Sequence, residues 1–196
     1  MIQKIRESKI LPPFAVGVDF QSAGIGSRGN SWEGDRGNFY FSFCIESKEL
    51  SKDLKLESIS IYFAYLLKEV LSELGSKTWL KWPNDFYINN LKIGGVITTK
   101  IGNTIIGSIG LNTIHAPEQF GILDIEIKPQ KLALFFIKKL SKQISWNNIF
   151  SKYKVEFKNS LDFTFHLNGE KKSLREAELL EDGSIKIEKK ILYSLR

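Results

Sequence analysis

Residues 78–99 read Thr-Trp-Leu-Lys-Trp-Pro-Asn-Asp-Phe-Tyr-Ile-Asn-Asn-Leu-Lys-Ile-Gly-Gly-Val-Ile-Thr-Thr. Aromatic and β-branched residues dominate this stretch, and two turn signals interrupt it, at Pro83-Asn84-Asp85 and Asn89-Asn90. The spacing predicts strands over 78–82, 85–88 and 92–99, folded back on one another by short connections. Downstream, Gly102-Asn103 makes a further turn into a strand over 104–111. Upstream, Phe39, Phe41, Phe43 and Ile45 alternate with Tyr40, Ser42 and Cys44, the period of a strand, and 14–20 reads as another. Residues 21–37 hold five glycines and almost no aliphatic side chain, so they are expected to form a long flexible loop. Leu56, Ile59, Phe63, Leu66, Leu67, Val70, Leu71 and Leu74 fall at helical spacing, with Gly75 as the stop. Pro129 opens a second helix with Leu132, Phe136 and Leu140 on one face, and 145–158 reads as a third. A short helical piece over 2–9 ends at Leu11-Pro12-Pro13. The tail from about 161 is a series of short strands and charged turns, at 167–170 and 181–183, too small to stand alone and therefore expected to pack on the rest. Strands joined mostly by hairpins give an α+β fold.

Composition narrows the function. Hydrophobic residues make up 42% of the 196 and aromatics 12%, which excludes a disordered chain. No apolar run reaches the length of a membrane helix, and the opening Met-Ile-Gln-Lys-Ile-Arg has no leader-like apolar stretch. One cysteine and two histidines exclude a disulfide framework and a Cys- or His-rich metal site, and a cytoplasmic setting follows. The net charge of +6 lies mainly in residues 76–144, with nine basic against four acidic residues. There is no basic arm and no recognition helix, so the excess suits a small anionic substrate or an acidic protein better than DNA.

Three segments carry chemistry. The first is Gln21-Ser-Ala-Gly-Ile-Gly-Ser-Arg-Gly-Asn-Ser-Trp32, followed by Arg36-Gly-Asn-Phe-Tyr40. Its glycines let backbone approach a phosphate, Arg28 can add charge and Trp32 an aromatic lid; as bare composition it also reads as a surface loop. The second is Lys81-Trp-Pro-Asn-Asp85, a turn in which Asn84 can read a hydrogen-bonding edge and Asp85 can hold a cation. The third is Lys92-Ile-Gly-Gly-Val96, which places an ammonium beside bare backbone on a strand.

Together, in this order and at these spacings, the segments resemble the biotin protein ligase family. Its usual text is a GRGRxG loop with a following tryptophan, then KWPND, then K-[LVI]-[AG]-G-[IV], then G-x-G-x-N. The corresponding residues are Gly24-Ile-Gly-Ser-Arg-Gly29 with Trp32, Lys81-Trp-Pro-Asn-Asp85, Lys92-Ile-Gly-Gly-Val-Ile97 and Ser108-Ile-Gly-Leu-Asn112. The resemblance implies a mixed, largely antiparallel sheet of the class II aminoacyl-tRNA synthetase/biotin ligase type, with helices on one side. It implies a catalytic domain over 1–158 and a small SH3-like β-barrel over 159–196. It also implies a two-step reaction, in which biotin and Mg-ATP give biotinyl-5′-AMP and a lysine of a biotin carboxyl carrier domain then displaces AMP.

By the same resemblance Lys92 sits at the biotin carboxylate and the α-phosphate. Gln21, Gly24, Arg28, Gly94 and Gly95 line the biotin site. Arg28, Trp32, Lys81, Asn84 and Asn112 meet the ATP, and Asp85 serves Mg2+ or deprotonates the incoming lysine. Ile25 and Ser27 stand where the family has arginines, leaving Arg28 or Arg36 to supply that charge. With so little chain ahead of the first strand, the short form without a DNA-binding domain is expected; a homodimer is left open. The alternatives are a lipoate–protein ligase, which shares the fold and the acyl-adenylate logic, and a non-catalytic biotin- or carrier-binding module. Cys44 is expected to be a small buried hydrophobe, and His115 and His166 to lie on the surface.

Overall fold

A computed structural model of the chain describes residues 1–25, 31–167 and 170–194. After a short helix α1 (Ile2–Arg6), six strands build the main sheet: β1 (Phe14–Val18), β4 (Phe39–Glu46), β5 (Trp79–Lys81), β6 (Asp85–Ile88), β7 (Leu91–Ile101) and β8 (Thr104–Leu111). Their order is β1-β4-β8-β7-β6-β5, and each neighbouring pair is antiparallel. The sheet is antiparallel throughout, in line with the largely antiparallel one expected. The turns at Asn89-Asn90 and Gly102-Asn103 close the hairpins β6–β7 and β7–β8, with Gly102 at φ +55°.

Residues 21–37 depart from the loop expectation. Gln21–Ile25 (β2) and Ser31–Gly34 (β3) pair antiparallel, with Gly24 opposite Trp32 and Gln21 opposite Gly34. This hairpin is a separate two-stranded sheet. Its ladder is built from backbone bonds and lacks the alternating aliphatic side chains by which a half-buried strand is read.

The period-two pattern of β4 sorts its side chains onto two faces. Phe39, Phe41 and Phe43 point to the core, where Phe43 meets Phe63 and Phe136 with ring centroids 4.9 and 5.2 Å apart. That face is covered by α2 (Ile59–Glu73) and α3 (Pro129–Leu140), whose Leu132, Phe136 and Leu140 are buried as their spacing predicts. Helix α4 (Trp146–Glu156) closes the layer against α2, with Ser145 capping its N-terminus by accepting from the Asn148 N–H. Cys44 on the opposite face of β4 is buried, and burial pushes its thiol pKa up, away from reactivity. Strand β5 lies at the sheet margin, but its outward N–H groups are satisfied: Leu80 donates to Glu156 (2.6 Å) and Trp82 to the Ser160 hydroxyl (3.0 Å).

The tail forms a hairpin, β9 (Thr164–Leu167) with β10 (Glu170–Ser173), and a three-stranded sheet of β11 (Glu178–Leu179), β12 (Ile185–Ile187) and β13 (Lys190–Leu192). The expected turn residues Asn168 and Gly169 lie outside the described residues. The turn at 181–183 is present, with Gly183 at φ +80°. Its three carbonyls all accept from side chains ahead of the tail: Glu181 from Trp146 (2.8 Å), Asp182 from Ser58 (2.7 Å) and Gly183 from Trp82 (2.9 Å). Among the described residues no helix is long and apolar enough to cross a membrane.

Candidate active site

The face of the main sheet away from the helices carries the charged residues of the second and third segments. Register explains how they meet. Lys81 pairs with Asp85, and Asp85 with Gly95, so all three lie in one cross-strand row. Lys92 joins that face because of a β-bulge. The pairing slips between Phe86 and Tyr87, so that Tyr87 faces Lys92 and Ile93 is the extra residue. With strict alternation Lys92 would share the side of Gly94, on the helix-covered face. The bulge lets Ile93 bury completely and turns Lys92 toward Asp85.

The Lys92 ammonium lies 2.6 Å from Asp85 Oδ1, and the Lys81 ammonium 3.9 Å from Asp85 Oδ2. Two cations share one carboxylate, leaving net positive charge on a partly open surface; the Lys92 side chain is 26% exposed. Lys81 also lies over the Tyr87 ring, 5.6 Å from its centroid. Burial, with the Asp85 charge adding to it, lifts the Tyr87 hydroxyl above the ordinary tyrosine range, so it stays a neutral phenol.

The glycines make the room. A Cβ on Gly94 runs into the Gly110 carbonyl oxygen, so Gly94 is required for β7 to lie against β8. A Cβ on Gly95 sits 3.2 Å from Asp85 Oδ1. Gly95→Ala is expected to leave the fold intact but displace the Asp85 carboxylate. Binding of an anionic ligand should fall several-fold with little change in urea midpoint; unchanged affinity would show that the carboxylate tolerates the methyl group.

Asn84 serves the frame. Its side chain donates to the Val96 carbonyl (2.5 Å) and its carbonyl accepts from the Val96 N–H (3.1 Å), fastening the Pro-Asn-Asp turn to β7. Asn112 is buried; its side chain donates to Gly121 (3.2 Å) and its backbone N–H to Ile93 (2.7 Å). Lys81, Asn84, Asp85, Lys92, Gly94, Gly95 and Asn112 thus all lie on the adjacent strands β5 to β8 or directly beside their ends. Gln21 and Gly24 stand on the separate β2–β3 hairpin, and Trp32 is placed there by its backbone. Arg28 and Ser27 lie outside the described residues. Arg36 stands at the hairpin root, its guanidinium 3.4 Å from Asp19 and 5.9 Å from the Phe20 ring centroid, and both partners of that ion pair are largely exposed. His115 and His166 are exposed, as expected. The sequence reading quoted Asn38 without giving it a role; it is buried and bonded to the loop after Asn112. An asparagine between a glycine and an apolar strand is the only signal it offered.

The described residues do not make a protein-held metal centre. Among the described residues no three His, Cys, Asp or Glu side chains converge, and Asp85 already faces two ammonium groups.

A model of the biotin/lipoate A/B protein ligase family matches residues 2–113. The Helicobacter pylori biotin acetyl coenzyme A carboxylase synthetase, crystallised with biotinylated ATP, superposes with a TM-score of 0.93 at 40% identity, covering 98% of this chain and 91% of that one. The Aquifex aeolicus biotin protein ligase, in complex with biotin and ATP, shares the fold at 23% identity with a TM-score of 0.75, over 93% of this chain and 85% of that one. Among curated proteins, chloroplastic biotin–protein ligase 1 of Arabidopsis thaliana is 33% identical over 104 residues, 48% of this chain and 28% of that protein. The bifunctional ligase/repressor BirA of Escherichia coli is 32% identical over 89 residues, 44% of this chain and 27% of that protein. The match thus spans under a third of the length of these curated relatives.

Proposed function

We propose that this chain, which belongs to the biotin/lipoate A/B protein ligase family, activates biotin with Mg-ATP and passes the biotinyl group to a lysine of a carrier protein. A biotin carboxylate oxygen attacks the α-phosphorus of ATP, pyrophosphate leaves, and biotinyl-5′-AMP remains. The amine of the carrier lysine then attacks the acyl carbon, loses a proton and expels AMP. Negative charge builds on the same oxygens in both steps. One fixed cation at the carboxyl–phosphate junction therefore assists both transition states.

The observation that carries this reading is the Lys92–Asp85–Lys81 row beside the bare backbone of Gly95. Lys92 is the group assigned to the carboxylate and α-phosphate. Asp85 holds Lys92 in place until substrate arrives, and is then left within reach of the amine that must lose its proton. Lys81 supplies a second positive charge toward the nucleotide. Gln21 and Gly24 are assigned to the biotin side, and Trp32 with Arg28 to the nucleotide side. Asn84 and Asn112 act by holding the backbone on which Asp85 and Lys92 stand. The Helicobacter pylori protein, similar over nearly the whole of this chain and bound to a biotin–nucleotide compound, supports biotin as the acid. A single buried cysteine fits the reducing cytoplasm as the place of work. A biotin carboxyl carrier domain is the acceptor this chemistry calls for.

ATP–pyrophosphate exchange with biotin or lipoate as the acid tests the choice. Exchange dependent on biotin, with lipoate at least about 10²-fold weaker, is expected, because a pocket with polar groups for one head group rejects another that leaves them unpaired. Equal or better exchange with lipoate overturns the assignment of biotin. Biotin binding without exchange would make the chain a binding module.

A further inference from the structure

Asn38 immediately precedes β4, and the residue is 2% exposed. Its Oδ1 accepts three successive backbone N–H groups, those of Thr113, Ile114 and His115, at 3.0, 3.0 and 3.1 Å. Its Nδ2 donates to the His115 carbonyl at 2.7 Å. Three consecutive N–H groups aimed at one point form the kind of concavity that takes an anion. Here a neutral side chain of the protein fills it.

The bonds around Asn38 run in two directions. The preceding Gly37, at φ +86°, donates its N–H to Asp19 Oδ1 (3.2 Å), and its carbonyl accepts from the Thr113 hydroxyl (3.1 Å). Asp19 lies just before β2, and residues 36–38 just after β3, so this is the root of the hairpin that carries Gln21 and Gly24. The loop after Asn112 returns to the other half of the site. Asn112 donates its N–H to Ile93, and Gly121 donates its N–H to the Lys92 carbonyl at 2.9 Å. These are the two residues at the bulge that turns Lys92 toward Asp85.

We propose that Asn38 is a positioning residue: by clasping residues 113–115 it fixes the β2–β3 hairpin relative to the strand that bears Lys92. The role rests on the biotin-adenylating reading of the site. Asparagine suits it for a stated reason. One oxygen must accept three N–H groups while the same side chain donates to a carbonyl, and only an amide does both at this length. Aspartate keeps the acceptor and loses the donor. Alanine removes the shared acceptor of three part-buried N–H bonds.

The test uses the full chain with Asn38→Ala and Asn38→Asp. It measures amide exchange at 113–115, melting by circular dichroism, and the KM for biotin and for ATP alongside kcat in pyrophosphate exchange. For Asn38→Ala, exchange at 113–115 should rise about 10-fold or more, as expected for losing hydrogen bonds there. Both KM values should rise together by about 10-fold on the same scale, with a smaller change in kcat, because each ligand is held between the same two halves. A role in stability alone would lower the melting temperature and leave both KM values of the folded enzyme unchanged. Asn38→Asp, which keeps the acceptor of the three N–H groups but sets its second oxygen against the His115 carbonyl, should restore protection and both KM values in part. Should Asn38→Ala not fold, Asn38→Ser, with one shorter acceptor, replaces it under the same criteria. Wild-type KM values in the folded variant, or an Asn38→Asp no better than Asn38→Ala, overturn the proposal alone. A wild type that makes no biotinyl-adenylate overturns the proposed function and this role with it.

Discussion

Lys92→Ala lowers the rate of biotinyl-adenylate formation by about 10²-fold or more, the scale on which enzymes lose a group fixed on developing negative charge. The ammonium is held 2.6 Å from Asp85 on a face otherwise cleared by Gly95, so it can turn to a ligand carboxylate without rebuilding the sheet. Removing it also leaves Asp85 with only the more distant Lys81, 3.9 Å away, and so leaves a carboxylate facing the incoming anions. Ground-state affinity for biotin should therefore fall as well. The measurement is pyrophosphate exchange at saturating biotin and ATP, with the urea midpoint as a check on folding. The Lys92 side chain is partly exposed and its ion pair contributes little to stability, so the midpoint should barely move. Wild-type turnover in a folded Lys92→Ala would remove Lys92 from the mechanism.

Trp82→Ala produces the largest loss of stability, about 3–5 kcal/mol by the usual cost of emptying a buried aromatic site. Trp82 is 2% exposed, packs edge-on against Phe165 with centroids 5.5 Å apart, and donates its indole N–H to the Gly183 carbonyl. It therefore joins the Lys81–Asp85 turn to both parts of the tail. Trp82→Phe keeps one ring's volume and loses the N–H donor, with about 1–3 kcal/mol of the cost coming from the unmet buried carbonyl. Urea unfolding followed by far-ultraviolet circular dichroism checks both values. An alanine variant within about 1 kcal/mol of wild type would show that the tail does not lean on this residue, since large losses come from emptied cores and cut buried networks.

Strand and helix positions were legible where side chains alternate between a wet and a dry face. The stretch 78–111 gave its four strands, and Leu132, Phe136 and Leu140 gave the buried side of α3, because burial imposes a period on the sequence. The hairpin at 21–34 was not legible, because its ladder rests on backbone bonds between residues with no such period. The site was legible as a set of motifs, and its geometry was not. The text Lys-Ile-Gly-Gly does not say that the strand bulges at Ile93, yet only the bulge puts Lys92 on the side of Asp85. Asp85 looked like a metal ligand from its type and neighbours; the structure sets it between two lysines. Trp82 and Asn38 hold the site through partners 101 and 75 to 77 residues away in sequence, and local patterns carry no trace of such contacts.

The central claim concerns a covalent product, and one mass spectrum addresses it. A biotin carboxyl carrier domain is incubated with biotin, Mg-ATP and the full chain, and its intact mass and lysine peptides are then measured. The account predicts a single added biotinyl group on one lysine of the carrier domain, dependent on ATP and strongly reduced with Lys92→Ala. A carrier domain that stays unmodified while the chain binds biotin and ATP would contradict it.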